Sequence, residues 1–113
     1  MTTLLVLYRA PEGGAAALAT LESRYRDEHL PLVAGTPGLR AMRVWRVSEA
    51  LGGETDLVLA AVLDFDDRAG LDDGLSSDPM RAAGRVLRDI APGLATFLVV
   101  EEAPDLLAGK VEG

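Results

Sequence analysis

The sequence holds a single histidine, His29, four residues after Tyr25, one of only two tyrosines. Imidazole is the side chain best suited to move a proton near neutral pH. A phenol four residues earlier on a helix shares its face, where it can hold or polarise a substrate oxygen. The plainer alternatives are a histidine that caps a helix on a backbone carbonyl and a core tyrosine whose hydroxyl finds a backbone partner. Tyr8, near the end of an apolar run, carries the same two readings. The catalytic candidates are therefore His29 and Tyr25, with Tyr8 as a candidate substrate contact.

Three more candidate substrate contacts lie in one alternating stretch, Arg43, Trp45 and Arg46. In an extended strand Arg43 and Arg46 fall on opposite faces, so at most one enters a given pocket. An inward arginine suits a carboxylate or enolate, and surface or intersubunit ion pairs are the competing account. Trp45 reads as a pocket wall or as a dimer anchor, because interfaces favour tryptophan.

Other chemistries find little support. Asp64, Asp66, Asp67, Asp72 and Asp73 cluster in sequence, but their spacing is not that of an EF-hand loop and fits a solvated helix start. One histidine and no cysteine leave no ligand set for catalytic zinc and no thiolate or disulfide. Haem ligation by His29 alone is chemically allowed, yet the expectation is no metal and no cofactor. Gly13-Gly14 and Gly52-Gly53 form no phosphate-cradling motif, and no serine nucleophile arrangement is legible. A net charge of −7 argues against nucleic acid and against an anionic membrane surface as partners. No secretory leader pattern is present, and the longest apolar run, Leu57 to Leu63, is far short of a bilayer span. A soluble cytoplasmic protein is expected.

The elements that must position these residues follow from periodicity. Thr3 to Tyr8 reads as a strand with Leu4, Val6 and Tyr8 on one face and Leu5 and Leu7 on the other. Gly13 to about Glu28 reads as a helix. Pro31 disfavours helical geometry at Leu30, so this helix is expected to end near His29, where the macrodipole would favour the charged ring. Strands follow at Arg40–Glu49 and Asp56–Phe65, separated by the Gly52-Gly53 turn. Asp66-Asp67-Arg68 opens a helical region weakened by Gly70 and Gly74. Asp78 as N-cap and Pro79 at the first helical position start another, with a stripe of Met80, Ala83, Val86, Leu87 and Ile90. Pro92-Gly93 stops it, and Thr96 to Val100 is a fourth strand. The reading is one domain over residues 1–113, with a core at 3–102. Its tail, 103–113, carries Leu106, Leu107 and Val111 to pack on a neighbour or fray.

The order βαββαβ is that of an α+β, ferredoxin-like domain, a four-stranded antiparallel sheet with helices on one face. Both strand faces read as apolar, so the uncovered face is expected to pack against a second copy in a homodimer.

Leu5-Val6-Leu7-Tyr8-Arg9, the run Tyr25-x-x-x-His29-Leu30-Pro31-Leu32 and Pro37-Gly38-Leu39 occur here in that order. Asp78-Pro79 with its alanine-rich helix follows. Through about Glu102 the chain thereby resembles the EthD family of dimeric α+β barrel proteins. The resemblance implies a homodimer through the sheets and a pocket between each sheet and its helices. The wider group includes polyketide cyclases, decarboxylases, cofactor-free quinone-forming monooxygenases, muconolactone isomerases and haem enzymes, and EthD itself is named for ethyl tert-butyl ether degradation. Fold alone does not choose among these. The expected function is binding of, or cofactor-free proton chemistry on, a small apolar or phenolic molecule. His29 would be acid or base, Tyr25 the orienting hydroxyl and an inward arginine the anion stabiliser. The alternatives are a non-catalytic accessory or ligand-binding protein of an oxygenase or ether-degrading system, and a structural dimer with a closed pocket.

Overall fold

The computed structural model describes residues 1–107. Its order is β1 (Thr2–Arg9), α1 (Gly14–Arg24), a π-helical turn (Tyr25–His29), α2 (Leu30–Ala34), β2 (Ala41–Arg46), β3 (Leu57–Phe65), α3 (Arg68–Leu75), α4 (Asp78–Ile90), β4 (Ala95–Glu101) and a 3₁₀ turn (Pro104–Leu106). The strands form one antiparallel sheet in the order β2-β3-β1-β4, the ferredoxin-like arrangement. Among the described residues no helix is long and apolar enough to cross a membrane.

Directly paired residues in an antiparallel ladder point to the same side, so the register assigns the two faces. Rows Met42–Leu63–Leu4–Val99, Val44–Ala61–Val6–Phe97 and Arg46–Leu59–Tyr8–Ala95 form one face. Their β1 and β3 members are buried and carry the core together with Leu21, Tyr25, Val33, Leu71, Ala83 and Leu87. Rows Arg43–Val62–Leu5–Leu98 and Trp45–Ala60–Leu7–Thr96 form the other face. Among the described residues no helix covers it, and Trp45 and Leu98 are 54% and 40% exposed.

The helix expected to stop at His29 does not stop there. The Leu30 N–H reaches back five residues to the Tyr25 carbonyl, and the chain continues as α2 to Gly35. A proline inside an α-helix lacks one N–H and its ring crowds the carbonyl four residues back. The wider π turn just before Pro31 relieves that crowding, and Pro31 then occupies the first turn of α2, where a missing N–H is tolerated. His29 is consequently buried in mid-helix rather than seated at a C-terminus.

Two helix starts also differ from expectation or refine it. Ser77, not Asp78, caps α4: its Oγ accepts from the Met80 N–H at 3.4 Å and donates to the Gly74 carbonyl at 2.6 Å. Asp78 and Pro79 then form the first turn, where a carboxylate suits the macrodipole. Asp67 caps α3 by accepting from the Gly70 N–H at 2.8 Å. The α3 helix forms in spite of its glycines, and one of them serves packing. A Cβ on Gly74 would lie 2.8 Å from a ring carbon of the fully buried Phe65. In the tail Leu106 and Leu107 are exposed, and Val111 lies outside the described residues.

Candidate functional site

Between the covered face of the sheet and the helical layer lies a cavity of about 500 Å³. β1 and β3 supply its floor through Leu4, Val6, Ala61 and Leu63, and β4 adds Phe97 and Val99. The π turn and α4 supply the opposite wall. The lining is largely apolar, and its polar side chains are Tyr8, Tyr25, His29 and Arg88.

Tyr8, Tyr25 and His29 form a contiguous set. The rings of Tyr25 and His29 stack at 5.0 Å between centroids and 26° between planes. Tyr25 meets Tyr8 edge-on at 5.2 Å and 75°, and the Tyr25 hydroxyl donates to the Tyr8 hydroxyl at 3.1 Å. Across the cavity wall, His29 Nδ1 lies 3.0 Å from the Ala83 carbonyl oxygen on α4. A carbonyl only accepts, so Nδ1 carries the proton and Nε2 of the neutral ring is left with its lone pair. Nε2 has no partner among the described residues. Nor is it sealed off, since the Thr36 hydroxyl oxygen is the fully buried side-chain atom left without one.

Burial sets the protonation states. His29 is 6% exposed, and desolvation lowers its pKa from the ordinary imidazole value, against a smaller opposing effect of the Ala83 bond. The expectation that a helix terminus would favour the charged ring is overturned. Burial is the main cause that pushes the Tyr8 phenol strongly upward, with the Tyr25 oxygen adding to it. Burial raises Tyr25 too, and its bond to Tyr8 partly offsets the rise. Both phenols therefore stay protonated near neutral pH. They hold two protons between them and share one bond, so one O–H is left to donate to a guest.

The β2 candidates do not join this set. Strand alternation sends Arg43 and Trp45 to the uncovered face, where the guanidinium lies 5.6 Å over the indole and 3.5 Å from Asp64. Arg46 is on the helix side but pairs with Glu22 of α1 at 2.9 Å, and it does not line the cavity. The reason is topological: β2 is the outer strand beside β3, while the cavity sits over β1, β3 and β4. The arginine at the cavity is Arg88 of α4, which sequence reasoning missed; its only signal was its place one helical turn after Gly84.

Asp64, Asp66, Asp67 and Asp72 of the acidic cluster serve helix capping and ion pairs. Asp66 pairs with Arg40 at 2.8 Å and Asp72 with Arg68 at 3.0 Å. Among the described residues no group of three or more histidine, aspartate or glutamate side chains is placed to hold a metal.

No protein-family model and no curated protein matches the chain. Solved structures do. One is a dimeric protein of unknown function and ferredoxin-like fold from Bacteroides fragilis, at 17% identity and TM-score 0.68, covering 89% of this chain and 95% of that one. Another is SnoaB, a cofactor-independent oxygenase from Streptomyces nogalater, at 14% identity and TM-score 0.62, covering 89% and 91%. At such identities the likeness shows the fold alone. An EthD family protein from Bacillus halodurans is similar more deeply, with 30% identity and TM-score 0.82 over 91% of this chain and 99% of that one. Likeness at that level over nearly the whole of both chains shows that this protein belongs to the EthD family.

Proposed function

We propose that this EthD-family protein binds a small, mainly apolar molecule bearing a carbonyl or phenolic oxygen, and that His29 exchanges a proton with it without a resident cofactor. The observation that carries this reading is the convergence of a spare phenol O–H and an unpaired imidazole Nε2 on one apolar cavity. The Tyr8–Tyr25 pair donates to the guest's oxygen and stabilises negative charge developing there. The neutral ring accepts the acidified proton at Nε2. An imidazolium in so dry a site is a strong acid, so it returns the proton readily, as isomerisation and cyclisation require. Two copies associate through the uncovered sheet face, in keeping with its apolar rows and with the dimeric Bacteroides fragilis structure.

A weakly acidic aryl ketone such as 1-tetralone, whose slow exchange of the C–H beside the carbonyl can be followed by NMR in deuterated water, tests the chemistry. The protein should accelerate deuterium uptake, and His29→Gln should remove about 10²-fold or more of that acceleration, the usual contribution of a positioned base. Uptake unchanged in His29→Gln would sink the proton-transfer role. The apolar lining also suits a second reading, a non-catalytic binding or accessory protein. Saturable binding of the ketone with no faster exchange would favour it.

A further inference from the structure

We infer that Arg88 is the anion-recognition residue at the mouth of this cavity, and that the guest is an amphiphilic acid whose anionic group meets Arg88 while its apolar body fills the interior. This rests on the binding-cavity reading above and adds the ligand's charge to it. The chain has ten arginines. Seven of them, Arg24, Arg26, Arg40, Arg43, Arg46, Arg68 and Arg81, pair with carboxylates. Arg9 bonds the Thr96 hydroxyl and the Gly93 carbonyl. Only Arg85 and Arg88 have no such partner among the described residues, and of these two Arg88 alone lines the cavity. Its neighbour Asp89 is engaged by Arg24 at 2.9 Å.

A cation in the last turn of α4 is favoured by the helix dipole, and that accounts for a positive residue there. It does not account for the direction the guanidinium takes. A Cβ on Gly84 would lie 3.5 Å from Arg88 Nη1, so the side chain folds back one turn over the glycine, and both residues face the cavity. An uncompensated guanidinium beside an apolar cavity, in a protein of net charge −7, leaves a planar fork of donors for a carboxylate, sulfonate or enolate. Different side chains of the cavity then read different parts of one molecule. The phenol pair and His29 take the reacting oxygen, and Arg88 takes the charge.

Two fluorescent probes with the same apolar body separate these contributions: 8-anilinonaphthalene-1-sulfonate, an anion, and N-phenyl-1-naphthylamine, which is neutral. Both are titrated into wild type, Arg88→Gln, Arg88→Lys and Arg85→Gln, the last removing equal charge from the same helix outside the cavity. Arg88→Gln should weaken the sulfonate about tenfold, as loss of a charge-assisted contact does, and leave the neutral probe within about twofold. Arg88→Lys should recover part of the loss, and Arg85→Gln should change neither. An equal loss for both probes, or a sulfonate loss no greater than that of Arg85→Gln, overturns the assignment while leaving the cavity reading standing. Failure of both probes to bind wild-type protein overturns the cavity reading and this inference with it.

Discussion

A histidine is useful as a base only if something keeps its proton acceptor bare, and at His29 the Ala83 carbonyl does so by occupying Nδ1. The same burial that bares Nε2 depresses the pKa of the ring, and that depression has a sign in stability. The unfolded chain titrates near the ordinary value of about 6.5, while the folded ring takes its proton only at lower pH. Between those two values the unfolded state binds more protons, so stability falls as pH falls. The histidine's contribution is intact above about pH 6.5 and is lost as pH drops through the folded pKa. Urea unfolding at several pH values from 7 downward should show this loss in wild type, and His29→Gln should flatten it, leaving only the carboxylate contribution. Equal slopes in the two proteins would mean that the ring is not desolvated in the folded state.

At the scale of elements, the π turn decides where His29 points. It is the feature that joins α1 to α2 across Pro31, and it sets Tyr25 and His29 ring on ring. A proline in an ordinary helix interior costs about 3 kcal/mol. If the π turn has already relieved that crowding, Pro31→Ala should change stability by no more than about 1 kcal/mol in either direction, the loss of unfolded-state restriction included. A gain approaching the full helix-interior cost in urea unfolding would show that Pro31 is strained where it sits. This element also marks what the sequence conceals. Four strands and their two-sided apolar character were legible because alternation is local and survives folding. Tyr25 and His29 were legible as a pair because four-residue spacing brings side chains together in α and π geometry alike. The continuation past Pro31 was not, since a proline reads as a helix stop and nothing in the apolar period says that a π turn will accommodate it. Ser77 was missed as the cap of α4 because Asp78-Pro79 offers a start signal one residue later. Arg88 was missed because no periodic pattern says which way a helix-terminal arginine folds. Arg43, Trp45 and Arg46 drew attention by residue type, yet strand order, which places β2 away from the cavity, is a long-range property.

For the whole molecule, the sheet divides the work between its faces. The cavity and its titratable groups lie entirely on the helix side of the chain described, while the other side presents Leu5, Leu7, Trp45 and Leu98 with no helix among the described residues to cover them. A monomer would leave that area in water, and a second copy seated on it would bury it. Leu98 is the most informative position, because it stands in the row Arg43–Val62–Leu5–Leu98 on the face opposite the cavity. Leu98→Glu places an unpaired carboxylate in the proposed interface of a protein that already carries net charge −7. Burying such a charge without a partner costs about 3 kcal/mol or more, equivalent to weakening association by about 100-fold or more. Sedimentation equilibrium at micromolar concentration should therefore show a dimer for wild type and mostly monomer for Leu98→Glu. The His29 ring signals should stay near their wild-type positions, because the substitution does not touch the cavity wall. A variant that remains dimeric would place the interface elsewhere, and one that dissociates with large His29 shifts would show that the partner copy shapes the site.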